Sequence, residues 1–355
     1  MIIDREIGMK AIYGGLFLGG GGGGSLSGGL EVLEETLKYG GVKLTNIRDL
    51  DKNDIVLTAS LVGSPASKEK YVGEKHYTKV YDLYRKTYDG EIAGIMTNEM
   101  GAQAITNGWI LSAMMKIPFI NAACNGRAHP TGAMGSMGLS SNEDYITLQT
   151  AAGGKGKKDI SIVAKGTIKA TSEIIKTASI EAGGFVTVLR NPVNIEYINN
   201  NAAINSVEHA IEIGEVFISN MGNLDKIIQG LKKVMDLELI CQGEVTQFQL
   251  ETKDGLDVGS LSIESISEKN EVVFWNEYMT VDNRKGVRQA TFPDLIAILD
   301  AQSGLPINSA ELEIGRKVAL VKVEKENLIL GKSMFDMDLL SEAEKVINKE
   351  LVKYF

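Results

Sequence analysis

Hydrophobic positions along the chain first alternate between helical and strand periods and later break into short β-like stretches. Leu26, Leu30, Leu33 and Leu37 recur at helical spacing and stop at Gly40-Gly41, which predicts an amphipathic helix. Residues 55–62 form an unbroken apolar run between Asp54 and Gly63-Ser64-Pro65, as expected of a strand buried on both faces. Tyr77, Val80, Tyr81, Tyr84 and Tyr88 return to the helical period, which ends at Asp89-Gly90. A strand at 92–96 follows, then a helix through about Met115 and a short buried strand at 116–120. Strands at 159–164 and 185–189 flank a helix rich in Ile and Ala, and helical patterns run through 207–218 and 224–235. Strand and helix in alternation predict a parallel sheet with helices on both faces.

From about Leu237 the texture changes. Residues 237–241, 244–250, 259–266, 272–281 and 317–323 read as short β segments separated by turn residues, with helical periodicity confined to 292–300. That pattern predicts a small barrel. Leu340, Ala343, Ile347 and Leu351 then mark one face of a closing helix. The expected fold class is α/β: a parallel-sheet, three-layer αβα domain over 1–236, a smaller β-barrel-like domain over 237–335, and a C-terminal helix over 336–355 packing back on the α/β part. No internal repeat is visible.

Composition narrows the function classes. With 355 residues, 44% hydrophobic and 23% charged, the chain can bury a full core. Its 37 basic against 46 acidic residues give a formal charge of −9, which repels phosphate backbones and argues against a nucleic-acid partner. The first ten residues carry charges where a secretory signal needs an apolar stretch, and no run approaches membrane-spanning length, so a cytoplasmic location with no membrane partner is expected. Two cysteines, Cys124 and Cys241, are too few for a disulfide framework and are expected as thiols.

Candidate chemistry concentrates at 121–139, where one thiol (Cys124), one imidazole (His129), one guanidinium (Arg127) and the amides of Asn121 and Asn125 crowd into a glycine-punctuated stretch after a strand. Asn98 and Glu99 follow the preceding strand, so a parallel sheet brings them to the same edge, where ligands bind in open α/β sheets. Glu99 is a candidate general base or metal ligand, or a helix cap. Cys124 beside Arg127 and His129 is a candidate nucleophile or soft-metal ligand, or a small core residue. His129 is a candidate acid/base or ligand. Glu99, Cys124 and His129 are the metal candidates, with a residue distant in the chain as an alternative further ligand, so a divalent metal stays open while its identity is unknown. Arg127 offers a planar fork for an anionic substituent, or a structural partner for Glu99. Met134 and Met137 are candidates for a pocket wall or for core. His76 and His209 read as surface residues. The six glycines at 19–24 deliver the chain to a helix N-terminus, and Gly21, Gly22 and Gly23 would let a ligand approach backbone N–H groups. The run satisfies G-x-G-x-x-G trivially, with no Gly-Lys-Ser/Thr after it and no clear strand before it, so no nucleotide cofactor is expected.

The glycine run after an opening helix, Leu-Val-Gly-Ser-Pro at 61–65, Asn-Glu-Met-Gly-Ala at 98–102 and Cys-Asn-Gly-Arg-Ala-His-Pro at 124–130 together resemble the S-methyl-thiohydantoin desulfurase-like family. The resemblance is dense over roughly the first 140 residues, and the order of an α/β part before a β part also fits. It implies a hydrolase acting on a small five-membered cyclic imide or thio-imide, with sulfur removal from a thiohydantoin-type ring as the leading activity. Asn98, Asn125, Arg127 and the glycine loop would hold the substrate; Glu99 or His129 would activate water, with Cys124 the alternative nucleophile. Ring-opening by a hydantoinase-type amidohydrolase, or a non-catalytic role beside a hydantoinase-like enzyme, are the other readings. The implied protein partners are a second copy of the chain or a hydantoinase-like subunit. Where many members show Asp-Ala-Asp-Gly-Met-Gly-Arg-Ala-Phe-Pro, residues 121–130 read Asn-Ala-Ala-Cys-Asn-Gly-Arg-Ala-His-Pro. Two acids are replaced and a thiol and an imidazole appear, which implies altered chemistry or substrate.

Overall fold

A computed structural model describes residues 1–63, 67–253 and 256–355. Two sheets organise it. The first contains β1 (Ile2–Ile3), β2 (Val42–Thr45), β3 (Ile55–Gly63), β4 (Gly94–Thr97), β5 (Phe119–Ala123), β6 (Thr147–Gly153), β7 (Ile160–Gly166), β8 (Phe185–Asn194) and β9 (Ala203–Ile204). Its order is β1-β2-β5-β4-β3-β8-β6-β7, with β9 beside β5. Only β2, β5, β4 and β3 run parallel; β1, β8, β6, β7 and β9 pair antiparallel. The expected parallel sheet is present in the four central strands and is extended on both sides by antiparallel ones. β6 lies in a stretch given no strand from the sequence, and it hairpins onto β7 through a single short turn, leaving no room for a crossover helix.

Alternation along the parallel strands divides the core. Leu57, Ile95 and Phe119 join the large cluster under the helices α1 (Arg5–Leu18), α2 (Leu26–Leu37), α3 (Glu74–Thr87) and α4 (Trp109–Met115). Val56, Met96 and Ile120 face the other way, under Met137, Leu139, the start of α5 (Ile168–Glu181) and α6 (Ile195–Asn201). Next in the chain, α7 (Ser206–Asn220) packs along α1, and α8 (Leu224–Met235) packs on α7.

The second sheet contains β10 (Glu238–Lys253), β11 (Leu256–Glu264), β12 (Lys269–Trp275), β13 (Glu277–Asn283), β14 (Arg288–Thr291), β15 (Leu295–Asp300) and β16 (Lys317–Val323), in the order β14-β13-β12-β11-β10-β16-β15. It is antiparallel and curled, with register shifts in β10 at Leu239/Cys241 and Val245/Gln247 where an extra residue sharpens the bend. Its end strands β14 and β15 do not pair among the described residues, so it is a half-barrel around Val245, Ile263, Phe274, Ile298 and Leu320. The helical period at 292–300 is corrected to strand β15: a short apolar run buried on every side carries no usable periodicity.

Two further expectations change. The buried strand begins at Phe119 and runs to Ala123, because Pro118 lacks an N–H and Lys116 is left-handed, so Asn121 and Ala122 belong to the strand. The last helix, α9 (Met337–Ile347), ends at left-handed Asn348 and packs against Val273, Trp275, Met279 and Phe292 of the half-barrel together with Met134. It was expected on the α/β part, but the apolar surface left open lies on the half-barrel. No helix among the described residues is long and apolar enough to cross a membrane.

The glycine loop is the seam between the sheets. The Gly20 carbonyl accepts from Tyr278 N at 2.7 Å, Gly21 from Ser309 N at 2.9 Å, and Gly23 from both Gln103 N and Ala104 N at 3.1 Å. Gly23 has φ +73°, and a Cβ there would stand 2.5 Å from the Gly101 Cα. Gly40 has φ +92° and open space around its Cβ position. Gly23→Ala is therefore expected to lower unfolding stability by more than about 2 kcal/mol, from backbone strain plus the clash, and Gly40→Ala by only ~1 kcal/mol. Urea titration of the two variants checks the difference; equal losses would contradict the close approach.

Candidate functional site

The first half of the site leaves the parallel edge of the first sheet. Thr97 of β4 pairs with Ala123 of β5, so Glu99 and the 124–139 stretch emerge together. Cys124 N to Thr97 O at 3.1 Å and Asn125 N to Asn98 O at 3.2 Å carry the pairing past the strand ends. Glu99 Oε2 accepts the backbone N–H of His129 at 3.2 Å and lies 3.3 Å from the ring Nε2. That separation is an ion-pair distance, yet neither ring nitrogen has an aligned hydrogen-bond partner among the described residues. Burial lowers the imidazole pKa, Glu99 opposes this and the Arg190 charge reinforces it, so His129 stands neutral at neutral pH.

The second half comes from the half-barrel. Glu277 opens β13 directly after Asn276, whose φ is +52°. It is 2% exposed, its Oε1 occupies the space a Cβ on Gly22 would need, and its Oε2 has no partner among the described residues. Burial and then the charge of Glu99 push its pKa well above the ordinary carboxyl range, with Arg127 pulling the other way. Glu277 thus keeps its proton to higher pH than an ordinary glutamic acid. The sequence reading passed over it. Its signal was an acid following Asn276 where the apolar run at 272–281 is broken.

Between the halves lies a cleft of about 360 Å³, lined by residues 21–25, Glu99, His129 and Glu277, with residues 308–311 on the outer wall. The volume is at the lower end of ordinary small-molecule sites, about 300–1,000 Å³. The N–H groups of Gly21, Gly23 and Gly24 reach no acceptor among the described residues. Backbone donors of this kind suit an oxygen or sulfur that gains negative charge.

The remaining sequence candidates do not line the cleft. Cys124 is fully buried among Val56, Ile120 and Met137, its Sγ 3.2 Å from Thr58 Oγ1, and burial pushes its pKa up to about 11. Of the three readings of Cys124, the small core residue fits this burial, because desolvation outweighs nearby positive charge. Arg127 is fully buried as well; burial lowers its pKa to about 10. It donates from Nη1 to Pro293 O at 3.0 Å and to Asp294 O, and from Nε to Ala128 O at 3.2 Å, with its guanidinium 4.6 Å from the Phe292 ring centroid. It makes no ion pair with Glu99. Asn98 accepts from Asn107 Nδ2 at 2.8 Å; Asn125 donates to Arg127 O at 2.9 Å and accepts from Gly331 N at 3.2 Å. Both amides brace the turn. Met134 and Met137 are core. His76 is buried, contrary to its expected surface place, and its Nδ1 accepts from Gly73 N at 3.0 Å at the start of α3. Ser64 and Pro65 of the 61–65 segment lie outside the described residues. No three His, Cys, Asp or Glu side chains converge as metal ligands among the described residues; Glu99 and His129 bring two donors where a catalytic metal asks for about three.

Comparison with known proteins agrees with this architecture. The S-Me-THD-like N-terminal domain matches residues 10–162 and the S-Me-THD-like C-terminal domain matches residues 167–335. A protein from Chromobacterium violaceum solved by X-ray crystallography has the same fold, with a TM-score of 0.72 over 96% of either chain at 13% identity. No curated protein matches the sequence.

Two outcomes follow from burial. Both cysteines are buried with raised thiol pKa values, so the native protein should release no chromophore from Ellman's reagent until denatured, and then two equivalents. The folded-state pKa of Glu277 lies above its unfolded value. The stability of its neutral form is therefore complete below about pH 4 and is lost as pH rises toward the folded value, at ~1.4 kcal/mol per pH unit. Glu277→Gln should remove that slope, raising the melting temperature at neutral pH more than at acid pH; a uniform shift at all pH would contradict it.

Proposed function

The chain belongs to the S-Me-THD-like family, and on that premise we propose that it is a hydrolase that removes sulfur from a five-membered thiohydantoin-type ring. The observation that carries this reading is Glu277: a buried acid that holds its proton and shares a cleft with Glu99, close enough for the Glu99 charge to raise it. A carboxyl group kept protonated by burial beside a second carboxyl group is an arrangement that suits the first to act as acid and the second as base.

For an S-methyl thiohydantoin the steps balance. Glu99 takes a proton from water as the oxygen bonds to the ring carbon bearing sulfur; the C=N pair moves to the ring nitrogen, which takes the proton of Glu277. The tetrahedral carbon then collapses: its hydroxyl proton returns to Glu277, C=O forms, C–S breaks, and the methylthiolate takes the proton held on Glu99. The products are a hydantoin and methanethiol, with both carboxyl groups restored. The backbone N–H of His129 holds the carboxylate that takes the water proton in place, and its neutral ring flanks the same oxygen. The N–H groups of Gly21, Gly23 and Gly24 are suited to the oxygen on which charge develops, each donor being worth about 3 kcal/mol in comparable sites. Cys124 has no step, since its buried thiol is far from the thiolate form.

The test is thiol release from an S-methyl thiohydantoin. Glu277→Gln and Glu99→Gln should each lower kcat by about 10²–10⁴. The loss of rate on the alkaline side in the parent, caused by deprotonation of Glu277, should disappear in whatever activity Glu277→Gln retains. A carbamoyl product with no thiol would replace this reading with ring-opening, and no turnover at any pH would remove it.

A further inference from the structure

We infer that the ring substrate carries a cationic arm, an ammonium or guanidinium group, received in the outer cleft by Asp257 and Glu311. The inference rests on the ring-binding reading above and names the substrate's charge.

Four carboxyl side chains line the cleft, those of Glu99, Asp257, Glu277 and Glu311, and no Lys or Arg does so among the described residues. Acids elsewhere in this chain regularly find cations, from Glu34 with Arg5 to Asp282 with Arg288. In the cleft only Glu99 has an ion-pair contact, and that is with neutral His129; Asp257, Glu277 and Glu311 have none among the described residues. Arg127, the one cation beside the site that the sequence offered to an anionic substrate, gives its Nε and Nη1 to three backbone carbonyls; its Nη2 has no partner among the described residues, but Arg127 does not line the cleft. Arg190 is buried, near enough to Glu99 to feel its charge, and does not line the cleft. Lys70 sets its Nζ 5.4 Å from the Phe185 ring centroid; Phe185 lines the cleft and Lys70 does not.

Unmet polar atoms add to this. Glu277 Oε2 is buried without a partner among the described residues, and Asn308 Oδ1 has no donor, its Nδ2 being committed to Gly24 O at 3.3 Å. The two outer acids belong to one wall. Asn276 N donates to Asp257 O at 2.7 Å and Asp257 N to Asn276 Oδ1 at 2.8 Å, while Ser309 Oγ donates to Asn276 O two residues before Glu311. That wall presents two carboxylates and a free amide oxygen. A group with several N–H donors satisfies them, whereas a carboxylate arm meets only like charge and lone pairs.

Hydantoins without sulfur cannot release thiol and isolate this point from turnover. Isothermal titration with rings bearing aminopropyl, propyl and carboxyethyl arms should give affinity in that order, the amine binding about ten-fold or more tighter than the carboxylate and losing its advantage in high salt. The Asp257→Asn, Glu311→Gln double variant should remove the preference while melting like the parent. Equal or tighter binding of the carboxyethyl ring, a preference untouched in the double variant, or no binding of any ring would each overturn the inference. Amine-selective binding without thiol release from the matching S-methyl ring would uphold it and sink desulfurisation. Fastest release from the carboxyethyl ring would do the reverse.

Discussion

A buried guanidinium fastens the two sheets of this protein to each other. Arg127 has no carboxylate in hydrogen-bond reach; its Nε and Nη1 are met by the carbonyls of Ala128, Pro293 and Asp294 and its plane by the face of Phe292, while Nη2 has no partner among the described residues. Desolvating a cation costs several kcal/mol, and carbonyl dipoles together with a ring face repay it only when they are fixed in place. The 292–294 turn and the 124–130 stretch therefore have one mutual placement. That placement sets the glycine loop against Tyr278 and leaves the cleft between them.

Around this pin Glu277 and Glu99 experience different surroundings. Glu99 sits where a parallel edge opens and takes a backbone N–H, whereas Glu277 is sealed against glycine backbone with one oxygen unmet. Any side chain on Gly22 would occupy the place of that carboxyl. The glycine run is thus a steric requirement of the half-barrel acid as much as a ligand loop, and this explains why the seam spends so many residues without side chains.

Much of the fold was legible because its signals are local. The leucines of α2 and the tyrosines of α3 repeat at the helical period, and the 55–62 run is a strand by length and flanks. Strand direction was not legible: β8 and β6 turn antiparallel through connections whose geometry no period records. Of the site, Glu99, His129 and the glycine loop could be picked out because each follows a recognisable element. Cys124 and Arg127 drew attention by their chemistry, but their roles depend on burial, which side-chain identity does not report. Glu277 is one acid among many until Gly22 and Glu99 are placed beside it in space.

Glu99 and Glu277 reach the cleft from different sheets, about 180 residues apart in the chain. Their separation is therefore a property of the joint between the sheets. A slight rocking at the seam moves the two carboxyl groups relative to each other while each sheet keeps its own hydrogen bonds, so the shape of the cleft reports how tightly the two halves are closed, and mild pressure or denaturant alters it before either half unfolds.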